Sequence, residues 1–279
     1  MSLLALMLFG CAAEDPASLA ACDGGGESRI AVINTLRFAR LDENDQTVGF
    51  DLDGLNSDQG DREGCGVQDY SDPRGNTGID ASFASLVPIL ELTEARAVEG
   101  LIANAIASGE LLFTLEVGDL DDPGDDPCVD FSFGRGEGRP DLSSTGDFLA
   151  GQTFERSAAV QPVHFTDVPL LDNELQVRPF DTHIPITIFD VNLDFEVHDA
   201  AMSLTMDEDG RMHGYFGGGV DTQVILDIVT EQNVDAALEE TVIALMATRA
   251  DLAPDEDGVC HEISINFEFE AVSAFLFEE

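Results

Sequence analysis

Asp51, Asp53, Asp58 and Asp61 fall within eleven residues, and Asp69, Asp72 and Asp80 follow on the same stretch with glycines between them. Carboxylates at this density, on backbone that glycine lets fold around a point, suit a hard cation. Ca²⁺ takes roughly six to eight oxygens from carboxylates, carbonyls and water. The seven aspartates are therefore the candidate metal ligands, and Ca²⁺ is the expected cofactor. The spacing departs from the calcium-loop pattern Asp-x-Asp-x-Asp-Gly, because Leu55 stands at the fifth place. A solvated acidic loop pinned at Cys65 is the competing reading of the same residues.

Other clusters point to local structure. Asp119, Asp121, Asp122, Asp125 and Asp126 surround Pro123-Gly124, Asp207 and Asp209 flank a tip, and Asp255 and Asp257 precede Gly258. Asp and Gly in such strings supply side-chain-to-backbone hydrogen bonds and positive φ, so each reads as a turn. The histidines are His164, His183, His198, His213 and His261, with no His-Glu-x-x-His and no Gly-x-Ser-x-Gly among them. No catalytic motif is assembled, and the chain reads as non-enzymatic. The alternative is an envelope or extracellular hydrolase with paired carboxylates, which would need two of them facing each other in a concave pocket.

Val48 to Gly54, VGFDLDG, is similar to the first motif of haloacid-dehalogenase-type phosphatases. The resemblance implies Asp51 and Asp53 as nucleophile and acid/base around magnesium. That family also needs a buried strand before the motif, alternating βα units and a distant basic residue, normally Lys. This chain has no Lys.

Across 279 residues there are 56 acidic side chains against 12 arginines, a formal charge of −44. Such a field repels nucleic acid and anionic lipid and attracts cations. A nucleic-acid partner is excluded, and most carboxylates read as a hydrated surface. The 44% apolar composition supports a real core.

The N-terminal run MSLLALMLFG ends directly before Cys11. It resembles the lipobox of bacterial lipoproteins, in which the cysteine is lipidated and the preceding residues are removed. The resemblance implies a signal peptide at 1–10, lipidation of Cys11, and membrane attachment through that lipid. With Ala12 and Ala13 after the cysteine, it also implies an outer-membrane location in the cell envelope. The departure is that no Lys or Arg precedes the apolar run, which an earlier start codon would explain. Residues 11–28 read as a flexible tether, and 29–279 as one acidic β-rich domain. In an oxidising compartment Cys22, Cys65, Cys128 and Cys260 are candidates for two disulfides, in any of three connectivities.

These residues must be positioned by a scaffold that alternates. Ile263, Ile265, Phe267, Phe269 and Ala271 alternate with Glu262, Ser264, Asn266, Glu268 and Glu270, predicting a strand with one buried and one wet face. Leu111 to Val117 and Val129 to Phe133 repeat the pattern. Ile184, Ile186 and Ile188 run out of phase with Val191, Leu193, Phe195 and Val197, predicting a bend at Phe189-Asp190. Met202, Leu204 and Met206 can face Met212, Gly214 and Phe216 only around a three-residue loop Glu208-Asp209-Gly210. Helices are predicted between Thr93 and Gly109, from Val220, and from Asn233 to Arg249. The fold class expected is α+β: largely antiparallel β-sheet or a β-sandwich with about three helices packed on it. The functional expectation is a surface lipoprotein acting as a structural or interaction module, its protein or glycan partner unspecified. A lipid carrier would instead need a large dry cavity.

Overall fold

The computed structural model describes residues 24–92, 97–188, 191–231 and 236–277, and side chains throughout these except at 185–188, 191–194, 228–229, 231 and 236–238. Cys11, Cys22, Thr93, the bend at Phe189-Asp190 and Asn233 lie outside the described residues. The strands are β1 (Glu27–Phe38), β2 (Tyr70–Ser71), β3 (Thr77–Ile79), β4 (Phe113–Leu120), β5 (Asp126–Glu137), β6 (Gln152–Arg156), β7 (Val163–Leu171), β8 (Glu174–Ile188), β9 (Val191–Met206), β10 (Met212–Asp221), β11 (Leu252–Pro254) and β12 (Cys260–Phe277). The helices are α1 (Val87–Leu90), α2 (Val98–Ser108), α3 (Thr222–Glu231) and α4 (Ala236–Arg249).

Eight of the strands close on themselves. β1, β4, β5, β7, β8, β9, β10 and β12 pair antiparallel in chain order, and β12 returns to β1 with Ala31 opposite Ser273 and Phe38 opposite Phe267. The result is an up-and-down barrel. This corrects the expected open sheet or sandwich with about three helices packed on it. Period-two alternation is the same in an open sheet and a closed one, so the strand patterns could not report a closure that depends on the first strand meeting the last.

The barrel interior is filled by side chains. Phe113, Phe133, Phe180, Phe216, Phe267 and Phe269, from five strands, form a connected set of ring contacts with centroids 5.2–6.4 Å apart. Each fully buried ring contributes about 1.5–3 kcal/mol. An eight-stranded barrel has just enough width for such a core, and the lumen a lipid carrier would need is occupied by phenylalanine. The outward positions include Glu116, Asp130, Glu268 and Glu270. Apolar inside and charged outside is the inverse of a membrane-spanning barrel, and no helix among the described residues is long and apolar enough to cross a membrane.

The helices gather at one end rather than on a sheet face. α2 packs on both β1 and β8, which are four places apart around an eight-strand ring and so face each other across it. It must therefore lie over the mouth. Ile102, Ala105 and Ile106 are its buried face, and it stops at Gly109, whose φ is +87°. Val242 and Met246 of α4 join the same core from that end.

The two apolar sets on either side of the bend expected at Phe189-Asp190 belong to neighbouring antiparallel strands. β8 and β9 pair with Ile188 opposite Val191 and Ile184 opposite Phe195. The loop between β9 and β10 takes the expected three-residue form, with Met206 opposite Met212 and Gly210 at φ +78°.

That turn belongs to a device used five times among the described residues. In 42–46, 72–76, 143–147, 207–211 and 255–259 the first residue donates its N–H to the carbonyl of the fifth, and its own carbonyl accepts from the fourth. The fourth residue has positive φ in each: Asp45, Gly75, Gly146, Gly210 and Gly258. Asp42, Asp72, Ser143 and Asp255 also accept with a side-chain oxygen from the N–H groups two and four residues on. The amides of their own turns hold the Asp42 and Asp255 carboxyls below the usual range. Part of the acidity is thus turn chemistry.

Candidate metal centre

The segment from Ala39 to Ser82 leaves β1 and folds back against the outer wall of the barrel. It is fastened at both ends to β12. The N–H of Ala39 donates to the Asn266 carbonyl at 2.8 Å, the Asn266 amide donates to the Asp80 carbonyl at 2.7 Å, and the N–H of Ser82 donates to the Ser264 hydroxyl at 2.7 Å. Ser264 and Asn266, which alternation placed on a wet face, are buried because this segment covers them. Gly217 leaves room for the Asn266 side chain, which a Cβ there would strike.

The loop and the turn that follows it share a small core of Tyr70, Ile79, Ala81 and Ala84. Phe50 lies on Tyr215 of β10 with ring centroids 4.9 Å apart. Arg178 of β8 donates to the Asp51 carbonyl at 3.0 Å, and Arg74 pairs with Glu174. Cys65 is disulfide-bonded to Cys260 at the start of β12, a link between residues 195 apart in sequence. Cys128 is also disulfide-bonded. The expected Cys65 loop is therefore pinned, and to the strand that anchors its ends.

Asp51, Asp53 and Asp80 converge, each offering one oxygen, with all three oxygens within 4.8 Å of one another. The geometry has local causes. Asp51 accepts from the N–H of Gly54 and Asp53 from that of Leu55, so two tight turns hold both carboxylates on one side of the loop. Asp80 reaches them from β3's end, its Oδ2 accepting from the N–H groups of Leu52 at 2.7 Å and Asp53 at 3.3 Å. Gly78, at φ +78°, lets β3 approach the Leu55 carbonyl where a Cβ would collide.

Electrostatics separates this cluster from the turn aspartates. Burial pushes the Asp80 carboxyl up to about 8 against the pull of its backbone donors, and the charge of Asp53 adds to the rise. Burial also raises Asp69, which shares a side-chain hydrogen bond with Asp80 and feels Asp53 and Asp51. Behind them Asp251 is raised to about 7 by burial while accepting from the Ser264 hydroxyl at 2.5 Å and its N–H at 2.7 Å. Carboxylates crowded in a low-dielectric pocket favour protonation or a cation. All three converging donors are hard oxygen atoms, and the cluster could hold a metal ion.

No protein family, curated protein or solved structure matches this chain.

Of the seven predicted ligands, three converge and Asp69 stands against them. Asp58 and Asp61 are exposed and spend a contact on each other's turn, the N–H of Asp58 donating to Asp61 at 3.0 Å. Asp72 caps the 72–76 turn. The phosphatase resemblance loses its architecture, since Asp51 and Asp53 lie on a loop outside an antiparallel barrel rather than after a parallel strand. His198 stands 4.0 Å from both Asp181 and Glu262, beyond hydrogen-bond reach of either. Sequence reasoning missed Asp251, just before β11, and Asn266 and Arg178, whose only signal was a polar residue on a strand otherwise needing none.

Proposed function

We propose that this chain is an exported, lipid-anchored envelope protein without catalytic activity, whose barrel body serves as an interaction module and whose Asp51–Asp80 loop is set in place by Ca²⁺. The observation that carries the cation is the convergence of Asp51, Asp53 and Asp80 with Asp69 beside them. An oxygen-only, irregular, loop-borne ligand set suits Ca²⁺, which tolerates irregular coordination, better than Mg²⁺, which demands near-ideal octahedral geometry. Thiolate and imidazole ligands that would favour zinc are absent from this trio. The export reading rests on Cys11 after the apolar run and agrees with the Cys65–Cys260 disulfide, a bond that persists in oxidising compartments.

The cation is tested by calorimetric titration of Ca²⁺ into EDTA-stripped protein. A saturable heat near one ion per chain, lost in D51N, D53N and D80N, is expected. No heat, with no rise in melting temperature beyond that given by matched ionic strength, rejects the site. The anchor is tested by detergent phase partition of the full-length protein against C11S, which is expected to move to the aqueous phase.

A further inference from the structure

A second site lies on the same outer wall of the barrel. Two cross-strand rows run side by side over the outer face of β1, β12, β10 and β9. Arg37 stands opposite Glu268 and Glu268 opposite Tyr215, while Glu270 stands opposite His213 and His213 opposite Thr205. They floor a half-open groove of about 380 Å³ whose rim carries Val48 and Arg74 of the acidic loop. That volume lies within the roughly 300–1,000 Å³ of small-ligand sites.

Three charged side chains in this groove stand without a direct hydrogen bond or ion pair, although the charge of Arg37 is felt by Glu99. Arg37, Glu268 and Glu270 are exposed, and none makes a hydrogen bond or ion pair with a described residue, although Arg37 and Glu268 are cross-strand neighbours. Tyr215 and His213 are by contrast held in place, the ring of Tyr215 by Phe50 at 4.9 Å and the imidazole Nε2 of His213 by the Thr205 hydroxyl at 2.8 Å. The floor is thus a fixed aromatic and imidazole pair between exposed guanidinium and carboxylate groups.

The charge balance selects the ligand. Arg37 stands against Glu268 and Glu270 while Arg74 is already neutralised by Glu174, so the groove carries a net charge of only about −1 inside a field of −44. Anionic ligands are repelled by that field, and a cationic peptide has more attractive surface everywhere the arginines are not. What remains favoured is a neutral, hydroxyl-rich molecule, whose vicinal hydroxyls donate to carboxylates and accept from guanidinium, and whose C–H faces pack on an aromatic edge. We propose that this groove binds a neutral saccharide chain. The groove shares its rim with the loop of the cation site, and its own recognition groups, Arg37, Glu268 and Glu270, stand on barrel strands.

The protein carries its own reporter, having two tyrosines and no tryptophan. In the Y70F variant Tyr215 is the sole emitter. Tetrasaccharides derived from cellulose, chitin, mannan and dextran are titrated into Y70F by tyrosine fluorescence and into wild type by calorimetry. At least one is expected to bind saturably, to lose about tenfold or more in affinity in R37A and in E268Q, and to keep its affinity in E256Q, on an exposed turn outside the groove. Unchanged circular dichroism and melting temperature show that R37A and E268Q fold. No saturable binding by any of the four, binding indifferent to both substitutions, or tighter binding of an octa-arginine peptide than of every saccharide overturns the proposal.

Discussion

Raising the pH from 5 to 8 in EDTA is expected to destabilise this protein, and Ca²⁺ is expected to reverse the effect. The folded Asp80 carboxyl titrates at about 8 against a usual 3.8. Across that window the unfolded chain has released the proton and the folded chain retains it. The contribution of Asp80 is therefore full below about pH 4 and is lost as pH rises through about 8, the opposite of a salt-bridged carboxylate. At about 1.4 kcal/mol per pH unit the span bounds the contribution of Asp80 at about 6 kcal/mol. Asp251, raised to about 7, acts in the same direction. A bound cation replaces the proton, and at a hundredfold excess over Kd it adds about 2.7 kcal/mol, chiefly where the carboxylates are ionised. Thermal unfolding followed by circular dichroism at pH 5, 6.5 and 8, in EDTA and in Ca²⁺ at matched ionic strength, reads both slopes. General repulsion among 56 acids has the same sign as the EDTA slope, so the D80N variant is the comparison that isolates it. Asn at 80 can still accept from Leu52 and Asp53 but cannot ionise, and is expected to flatten the EDTA slope and erase the calcium shift. A D80N slope equal to that of wild type would refute the reasoning.

Removing the Cys65–Cys260 disulfide in C65S/C260S deletes a loop closure over 195 residues, which chain-entropy arguments put at about 5 kcal/mol; the urea midpoint should fall and cleavage within residues 42–80 should speed up in limited proteolysis. Asn266→Ala breaks the buried bond to the Asp80 carbonyl and should cost about 1–3 kcal/mol by urea unfolding, with weaker Ca²⁺ binding by calorimetry. Gly109→Ala places a side chain at φ +87° against the Gly138 carbonyl and should cost more than about 2 kcal/mol, unless the end of α2 rearranges, which a shift in the m-value would reveal. Glu256→Gln, on an exposed turn, should leave stability within about 0.5 kcal/mol of wild type.

The local rules were legible because they act over a few residues. Alternation from Ile263 to Ala271 marked β12, Gly109 marked the end of α2, and the register of Met206 on Met212 was forced by keeping apolar residues on one face. The density of aspartate between 51 and 80 marked the loop worth watching. Which aspartates meet was not legible. Nearness in sequence favoured Asp58 and Asp61 as partners of Asp51, but the chain returns on itself through β2 and β3 and delivers Asp80 instead, because its backbone is fastened to Asn266 of β12. The two apolar sets that run out of phase belong to separate antiparallel strands, β8 and β9, which a shift of phase alone does not reveal. By itself the sequence determined the alternation, the turns, the acidity and one suspect loop, all properties of neighbouring residues. The tertiary structure alone decided that β1 meets β12, so that the sheet closes and the outer face of β12 becomes the floor on which that loop and its carboxylates assemble. Contacts across some 230 positions depend on loop-closure entropy and the summed packing of the whole core, and no local pattern records them.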